Sequence, residues 1–554
     1  MTSFVDEERL AESGPDEFRR SVQRLFLHLP GCVLVDTTDG PYDGGADLIV
    51  EWRGSERWAV QCKWKKSGGK VGATAVDQVM DSRLEYNAHT ALVVTNSTYS
   101  DATIKLANTH RLNGVDIQLW NGSQLRAQFN QRAKDWLEPF TLHCYQKEAV
   151  QKIESSLQQN GRALLYMATG LGKTVVAGAV IQEWFKRDPS LRVLVLAHTQ
   201  ELVIQLQSSL WRYIPKSVLS QTLFGEHKPD QIGEGLTVGT MQTAQKYIKQ
   251  GFVPDLLIID ECHHVGETGW YNEILSRLES VPRLGVTATP WRGDQYDVTR
   301  AFGEPCFSVD IVEGMANGYL SQVNYRLFCD NIDWDIVENK SRHNYRMKEL
   351  NSKLFIPQRD EQIIENLIEA EKETRNPKTI VFCQTKQHAE TFLKLLKKYK
   401  RWAKAELIHS GIHKCDRKKA LIKFRSSESP LIVAVDILNE GVDVPDANII
   451  CFARVTHSRR IFIQQLGRGL RVSKETGKEQ VIVLDFVSDL RRLGALSKLK
   501  SKLIGNDVEV LPHVQNQIDF TDKKVESLMN EWIADTADLD TASDEVELNF
   551  PDIY

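Results

Sequence analysis

Residues 163–174 read ALLYMATGLGKT, and this stretch decides the fold. The apolar run Ala163–Met167 ends in a glycine-containing loop that closes on Lys173 and Thr174. A short apolar run bounded in this way is a buried strand, and a GxGKT ending opens a helix. Backbone N–H groups of such a loop, together with the positive end of the helix dipole, form a cradle for phosphates. The candidate contacts are Thr169, Gly170, Gly172, Lys173 and Thr174. Lys173 would reach the β- and γ-phosphates of a nucleotide, and the Thr174 hydroxyl would ligate Mg2+. The strict loop pattern has glycine where this chain has Met167, and a plain tight turn can give the same string. The neighbouring segments therefore decide between the two readings.

Around this segment the chain repeats a β-loop-α rhythm. Strands are predicted at Ala163–Met167, Arg192–Leu196, Thr237–Gly239, Leu256–Asp260 and Leu284–Thr287. A second set follows at Thr379–Cys383, Ala405–Ile408, Leu431–Val435, Asn448–Phe452 and Val481–Leu484. Alternation of this kind builds parallel sheets that bind ligands at the carboxyl ends of their strands. Between the sets, Gly318–Pro357 shows no clear period. Strand Leu256–Asp260 delivers Asp260 and Glu261, where one acid can hold Mg2+ and the other can orient an attacking water. Residues 464–471, QQLGRGLR, set Arg468 and Arg471 about one helical turn apart. Two arginines so placed can neutralise charge developing on a γ-phosphate. An exposed acidic strand end and a solvated helix face are the plainer readings, but neither accounts for the phosphate loop upstream.

The order of these elements resembles superfamily 2 helicases, close to their type III restriction/UvsW/XPB-like branch. Tyr145 and Gln146 resemble the adenine-side element, and residues 197–202, AHTQEL, the first nucleic-acid contact. Thr240–Gln242 is similar to the second contact, residues 260–263 to a DExH box, and Thr287–Thr289 to the coupling motif. Residues 380–383 would open a second lobe, and residues 436–443 with 464–471 would complete the set. The resemblance implies two RecA-like domains with ATP between them. Lys173, Asp260 and Glu261 would lie on one side, and Gly441, Asp443, Arg468 and Arg471 on the other. Nucleic acid would cross both lobes.

The front of the chain reads differently. An amphipathic helix is predicted from Asp16 to Leu29, with Phe18, Val22, Leu25 and Phe26 at helical spacing. Strands Cys32–Val35, Asp47–Trp52 and Trp58–Trp64 follow, the last two joined by a Gly54-Ser55 turn. Next come a helix over Thr74–Asn87, a strand Ala91–Thr95, a helix Ala102–His110 and a strand Val115–Leu119. Gln61 and Lys63 alternate onto one face of their strand, and a hairpin could bring Asp47 beside them. An acid, an amide oxygen and a lysine suit phosphodiester hydrolysis. Asp47 and Gln61 would ligate the metal, and Lys63 would act on the scissile phosphate. A common turn and a solvated lysine would look the same on these residues alone.

The wider segment, about Asp16 to Leu125, resembles the Mrr-type restriction endonuclease domain, a PD-(D/E)xK fold. The resemblance rests on the DxGxD turn, the QxK strand, the ALVVTN strand at 91–96 and the helix after it. It departs at Phe18-Arg19, where that family has Phe-Glu; Asp16 and Glu17 stand just before. Lys63, Lys65, Lys66 and Lys70, with Trp64 among them, form a local basic patch suited to a phosphate backbone or simply to solvent.

Composition sets limits. At 554 residues the chain exceeds one core, and about 150 residues per domain gives three or four. Nine scattered cysteines with no CxxC spacing argue against a disulfide framework or a structural zinc site. No apolar run approaches the roughly 20 residues of a membrane span, and the acidic start MTSFVDEERLAESG does not read as a signal peptide. A cytoplasmic location is expected. Net charge is −5, so any DNA surface is a local patch. Nine acids and no lysine or arginine from Glu526 onward mark an acidic tail.

The expected architecture is α/β. A restriction-endonuclease-like mixed domain (1–137) precedes two RecA-like parallel-sheet domains (138–315 and 316–500) and an acidic segment (501–554). The expected function is an ATP-dependent DNA translocase fused to a metal-dependent endonuclease, with ATP and Mg2+ as cofactors and Mn2+ as a substitute at the nuclease site. Double-stranded DNA is the expected partner, in restriction of foreign DNA, with a partner subunit or a second copy left open. Two rivals stand beside it: a DNA remodeller whose front domain only binds, and an RNA helicase.

Overall fold

The computed structural model describes residues 3–38, 45–66, 69–137, 141–168, 170–225, 229, 231–262, 269–288, 298–309, 313–314, 317, 319–328, 360–383, 385–435, 447–453, 480–486 and 516–519.

The front of the chain is built on strands β1 (Cys32–Thr37), β2 (Leu48–Trp52), β3 (Arg57–Lys63), β5 (Thr90–Thr95) and β7 (Asp116–Trp120). They form one mixed sheet in the order β1-β2-β3-β5-β7, antiparallel from β1 to β3 and parallel from β3 to β7. Two short strands, β4 (Lys70–Val71) and β6 (Thr98–Tyr99), pair separately. The β2–β3 turn works because Gly54 and Ser55 both take positive φ, 87° and 66°, which matches the twist of a tight hairpin.

Helix α1 (Glu7–Glu12) leads into α2 (Gly14–His28). The buried stripe of α2, Phe18, Val22, Leu25 and Phe26, packs on Leu48, Val50, Val60, Leu92 and Trp120 of the sheet. Helices α3 (Thr74–Glu85) and α4 (Asp101–Leu112) follow, α3 lying on β3 and β5. A further helix, α5 (Gly122–Gln131), adds Leu125 and Phe129 to the α2 core. Sequence reading left it out, although Asn121 and Gln124 form a reciprocal capping box: the Gln124 N–H donates to Asn121 Oδ1 at 3.0 Å, and the Asn121 N–H to Gln124 Oε1 at 2.8 Å.

Next come α6 (Cys144–Asn160), β8 (Arg162–Met167), α7 (Lys173–Arg187), β9 (Arg192–Ala197), α8 (Gln200–Leu210), β10 (Ser220–Leu223), β11 (Gly235–Thr240), α9 (Met241–Lys249), β12 (Leu256–Asp260), α10 (Gly269–Arg277), β13 (Arg283–Thr287) and β14 (Pro305–Val309). Their seven strands order as β10-β11-β9-β12-β13-β8-β14. The β10–β11, β11–β9, β9–β12 and β8–β14 pairs are parallel. The expected strands are all present. The two added ones, β10 and β14, are the sheet's edges, and SQTL and PCFSV lack the apolar run that marks a central strand. The front sheet and most of this one share a compact unit, Met1–Ala163 with Thr174–Gly285.

A second seven-stranded sheet comprises β15 (Gln322–Phe328), β16 (Thr379–Phe382), β17 (Glu406–Ile408), β18 (Leu431–Ala434), β19 (Ile449–Phe452), β20 (Gln480–Phe486) and β21 (Asn516–Asp519), in the order β17-β18-β16-β19-β20-β15-β21. Two points correct the sequence reading. The stretch taken as irregular contains β15, which pairs parallel with β20. Beyond residue 500, β21 joins the same sheet antiparallel to β15, so the sheet reaches past the expected boundary. Helices Asp360–Glu373 and Lys386–Leu396 supply Ile364, Leu367, Phe392 and Leu396 to its core. Among the described residues, no helix is long and apolar enough to cross a membrane.

Candidate functional site

Asp47 enters β2 with its N–H donating to the Val60 carbonyl at 2.8 Å, so the hairpin register holds it against β3. One of its carboxylate oxygens accepts from the Cys62 N–H at 2.6 Å and from the Gln61 side-chain amide. Gln61 is buried, and its Oε1 has no hydrogen-bond partner. Lys63 follows at the strand end, on the same face as Gln61. The structure thus brings Asp47 and Gln61 into contact and sets Lys63 two residues along. A carboxylate and an unsatisfied amide oxygen on the side chain in contact with it are oxygen ligands of the kind a hard divalent cation takes. Among the described residues, no group of three or more His, Cys, Asp or Glu side chains is placed to hold a metal.

The surroundings are built to hold this corner. Gly45 has φ +93°, and a Cβ there would fall 2.4 Å from the Gln78 carbonyl oxygen, so the turn before Asp47 lies directly on α3. Gln78 meets the turn through its backbone, while the residue is exposed. After Lys63, Asn96 clamps the chain: it accepts from the Lys65 N–H at 2.8 Å and donates to the Lys65 carbonyl at 2.9 Å. Sequence reading placed Asn96 only at the end of a strand. The Trp64 indole donates to the Leu10 carbonyl at 2.9 Å and packs on the α2 core, so it is not a ring interleaved with the exposed Lys66 and Lys70.

Arg19 bears on the same corner. Burial and the Asp47 charge push the Cys62 thiol well up, while Arg19 and then Lys63 pull it back. Arg19 stands where the resemblance expects an acid. Arg19 also donates to Asp16 at 3.2 Å.

On the nucleotide side, Gly170 and Gly172 take φ of 96° and 87°, a conformation a side chain would strain, and α7 begins at Lys173 with Thr174 next. Buried Leu171 anchors the loop between them. Tyr145 and Gln146 are buried at the start of α6. Gln146 Oε1 accepts from the His143 N–H at 3.0 Å, and the His143 and Tyr145 rings stack at 5.6 Å. Asp260 ends β12, half-buried, and Glu261 takes a left-handed φ of 48°. A β12 strand that turned normally would not need it; such backbone strain in a non-glycine residue concentrates at functional sites. Cys262 behind them is fully buried, its thiol pushed well up by burial and then by Glu261 and Asp260. Thr199 caps α8 by accepting from the Leu202 N–H at 3.2 Å. Thr169, His263, Thr289, Gly441, Asp443, Arg468 and Arg471 lie outside the described residues, as does the start of the DxGxD turn, Asp43 and Gly44.

Three family models match in chain order: restriction endonuclease over residues 10–129, type III restriction enzyme res subunit over 139–292, and helicase conserved C-terminal domain over 358–473. A region matching a restriction endonuclease model is thus followed, in one chain, by regions matching two helicase-type models. Curated relatives of the chain include the type I restriction enzyme EcoAI endonuclease subunit of Escherichia coli. That subunit is 28% identical over 373 residues, covering 62% of this chain and 45% of the relative. The DNA 3'-5' translocase XPB2 of Sulfurisphaera tokodaii is 27% identical over 408 residues, covering 65% of this chain and 84% of the relative. The chain spans about half the length of several curated relatives. Among solved structures, the ATP-dependent Type ISP restriction-modification enzyme LlaBIII bound to DNA has a TM-score of 0.50 at 17% identity. That match covers 97% of this chain and 39% of the other, and it shows a shared fold.

Proposed function

We propose that the chain is an ATP-driven translocase on duplex DNA that carries its own divalent-metal-dependent endonuclease, acting in the cytoplasm in restriction of foreign DNA. We take residues 1–137 as the nuclease, and 138–315 and 316–500 as the helicase lobes, the second extended by the strand at 516–519. The observation that carries the reading is the contact of Asp47 with Gln61, whose amide nitrogen donates to the carboxylate and whose oxygen is left without a partner, with Lys63 on the same strand face. Asp47 and Gln61 would hold Mg2+ or Mn2+, which when bound supplies Lewis-acid polarisation of the scissile phosphate. Cys62's backbone N–H fixes the carboxylate's orientation. Lys63 would balance charge on the phosphate or orient the attacking water.

In the motor, Lys173 would bind the β- and γ-phosphates and Thr174 and Asp260 would hold Mg2+. Glu261 would orient water, with Arg468 and Arg471 neutralising transition-state charge and Gly441 and Asp443 completing the second lobe's side. Tyr145 and Gln146 would contact the base. The experiment is direct. Lys173→Ala should remove ATPase, and Lys63→Ala should remove cutting while ATPase stays.

A second reading has one observation in its favour, Arg19 where the family has an acid. On that reading the front domain only binds DNA and the protein is a remodeller. Metal-dependent cutting that disappears in Asp47→Ala would exclude it.

A further inference from the structure

The nuclease domain and the first helicase lobe meet through a buried Arg24 and a half-buried Lys216 that neither site uses. Arg24 on α2 is 2% exposed, and its Nη2 donates to the Pro215 carbonyl at 3.0 Å. Its guanidinium lies 4.5 Å from the Phe4 ring centroid, and its Nε and Nη1 have no hydrogen-bond partner. One residue on, the Lys216 ammonium donates to the Phe129 and Ala133 carbonyls at 2.9 and 2.8 Å. It thereby caps the end of α5, and its backbone N–H donates to the Asp135 carbonyl at 2.8 Å. His28 completes the patch, its Nδ1 2.9 Å from the Lys134 carbonyl oxygen.

The other end of this segment touches the motor. A Cβ on Gly178 would fall 2.3 Å from the buried Tyr213 ring, so α7 bears directly on Tyr213. Helix α7 begins at Lys173 and Thr174. Its position is thus passed from the phosphate loop to Tyr213, and two residues later to the carbonyl that Arg24 holds. A buried charge with as few partners as Arg24 costs more than an apolar seam, but the directional bonds of Arg24 and Lys216 fix one register.

We propose that Tyr213–Lys216 is a joint through which nucleotide at the phosphate loop acts on the nuclease domain, with Arg24 and Lys216 as its positioning residues. The nucleotide half rests on the motor reading above.

The test is amide hydrogen exchange on the full chain, with and without a non-hydrolysable ATP analogue, for wild type, Lys216→Met, Lys216→Arg and Arg24→Met. Without nucleotide, Lys216→Met should speed exchange at the end of α5 about tenfold and Lys216→Arg should restore it. With the analogue, wild type should change exchange at 170–174, at 213–216 and in α5. Lys216→Met should keep the first two and lose the third, with DNA-stimulated ATPase within about twofold of wild type. Exchange in α5 that Lys216→Met leaves unchanged without nucleotide overturns the joint. So does a nucleotide response at 170–174 that never reaches α5 in wild type. Absence of any response at 170–174 overturns the nucleotide half and the motor reading together, while the nucleotide-free comparison still decides the contact. If Lys216→Met does not fold, Arg24→Met gives the same comparison through the Pro215 contact.

Discussion

The Gln61 side-chain amide donates to the Asp47 carboxylate across the β2–β3 pair, where the Leu48–Val60 register, continued by one residue, sets the two opposite each other. The same oxygen also accepts the Cys62 N–H. Asp47 is therefore both the nuclease's proposed metal ligand and a structural acceptor. Asp47→Ala should cut cleavage at least about 100-fold, and it should cost about 1–3 kcal/mol of stability by leaving two buried donors unmade. Asp47→Asn keeps an acceptor, so it should lose cleavage while recovering most of the stability. Cleavage assays beside urea unfolding separate the two effects.

The Arg19 charge acts on the Cys62 thiol, whose neighbour in the strand is Gln61. A cation there opposes a bound metal ion, so Arg19→Gln should tighten Mn2+ binding severalfold. Calorimetric titration of Mn2+ reads this directly. Unchanged or weaker binding would mean that Arg19 does not act on the site.

Gly45→Ala combines a φ of +93° with a contact of 2.4 Å to the Gln78 carbonyl oxygen. It should destabilise the nuclease domain by about 1–3 kcal/mol and displace Asp47. Cleavage should fall while ATPase stays near wild type, a split that unfolding curves and the two activity assays resolve.

Burial pushes His28 from its usual 6.5 down to about 3, with the Arg24 charge and then that of Lys216 adding to it. Between those values the unfolded chain holds a proton that the folded chain lacks. Stability is then fully present above about pH 6.5 and falls with decreasing pH, by up to about 1.4 kcal/mol per unit. His28→Gln should flatten this slope between pH 6 and about pH 4 in thermal unfolding scans.

Much of this was legible in the sequence because the chemistry is local. Apolar runs ending in GLGKT or in Asp260-Glu261 are strands that deliver their ligands at the carboxyl end, and the structure has both strands. Phe18, Val22, Leu25 and Phe26 announced the α2 face that packs on the front sheet. What escaped was short or lay in stretches of mixed polarity, although β15 does alternate Val323, Tyr325 and Leu327. Edge strand β10 is mostly polar, β14 opens on a proline, and β15 and β21 find each other across nearly 200 residues through main-chain pairing. The orphaned Gln61 oxygen, the Asn96 clamp and the Arg24–Pro215 contact depend on which residues meet in space. Trp64 shows the opposite error: its neighbours are basic, yet its indole is tied to Leu10 beneath them.

The most direct measurement is cleavage of plasmid and linear duplex DNA by the purified protein in Mg2+ or Mn2+. It should be run with and without ATP, beside the Lys63→Ala and Lys173→Ala variants. The account expects metal-dependent cutting that Lys63→Ala abolishes while DNA-stimulated ATPase persists, and loss of that ATPase in Lys173→Ala. Cutting that survives Lys63→Ala, or no cutting under any condition while ATPase is intact, would contradict the central claim that the front domain is a working nuclease carried by the motor.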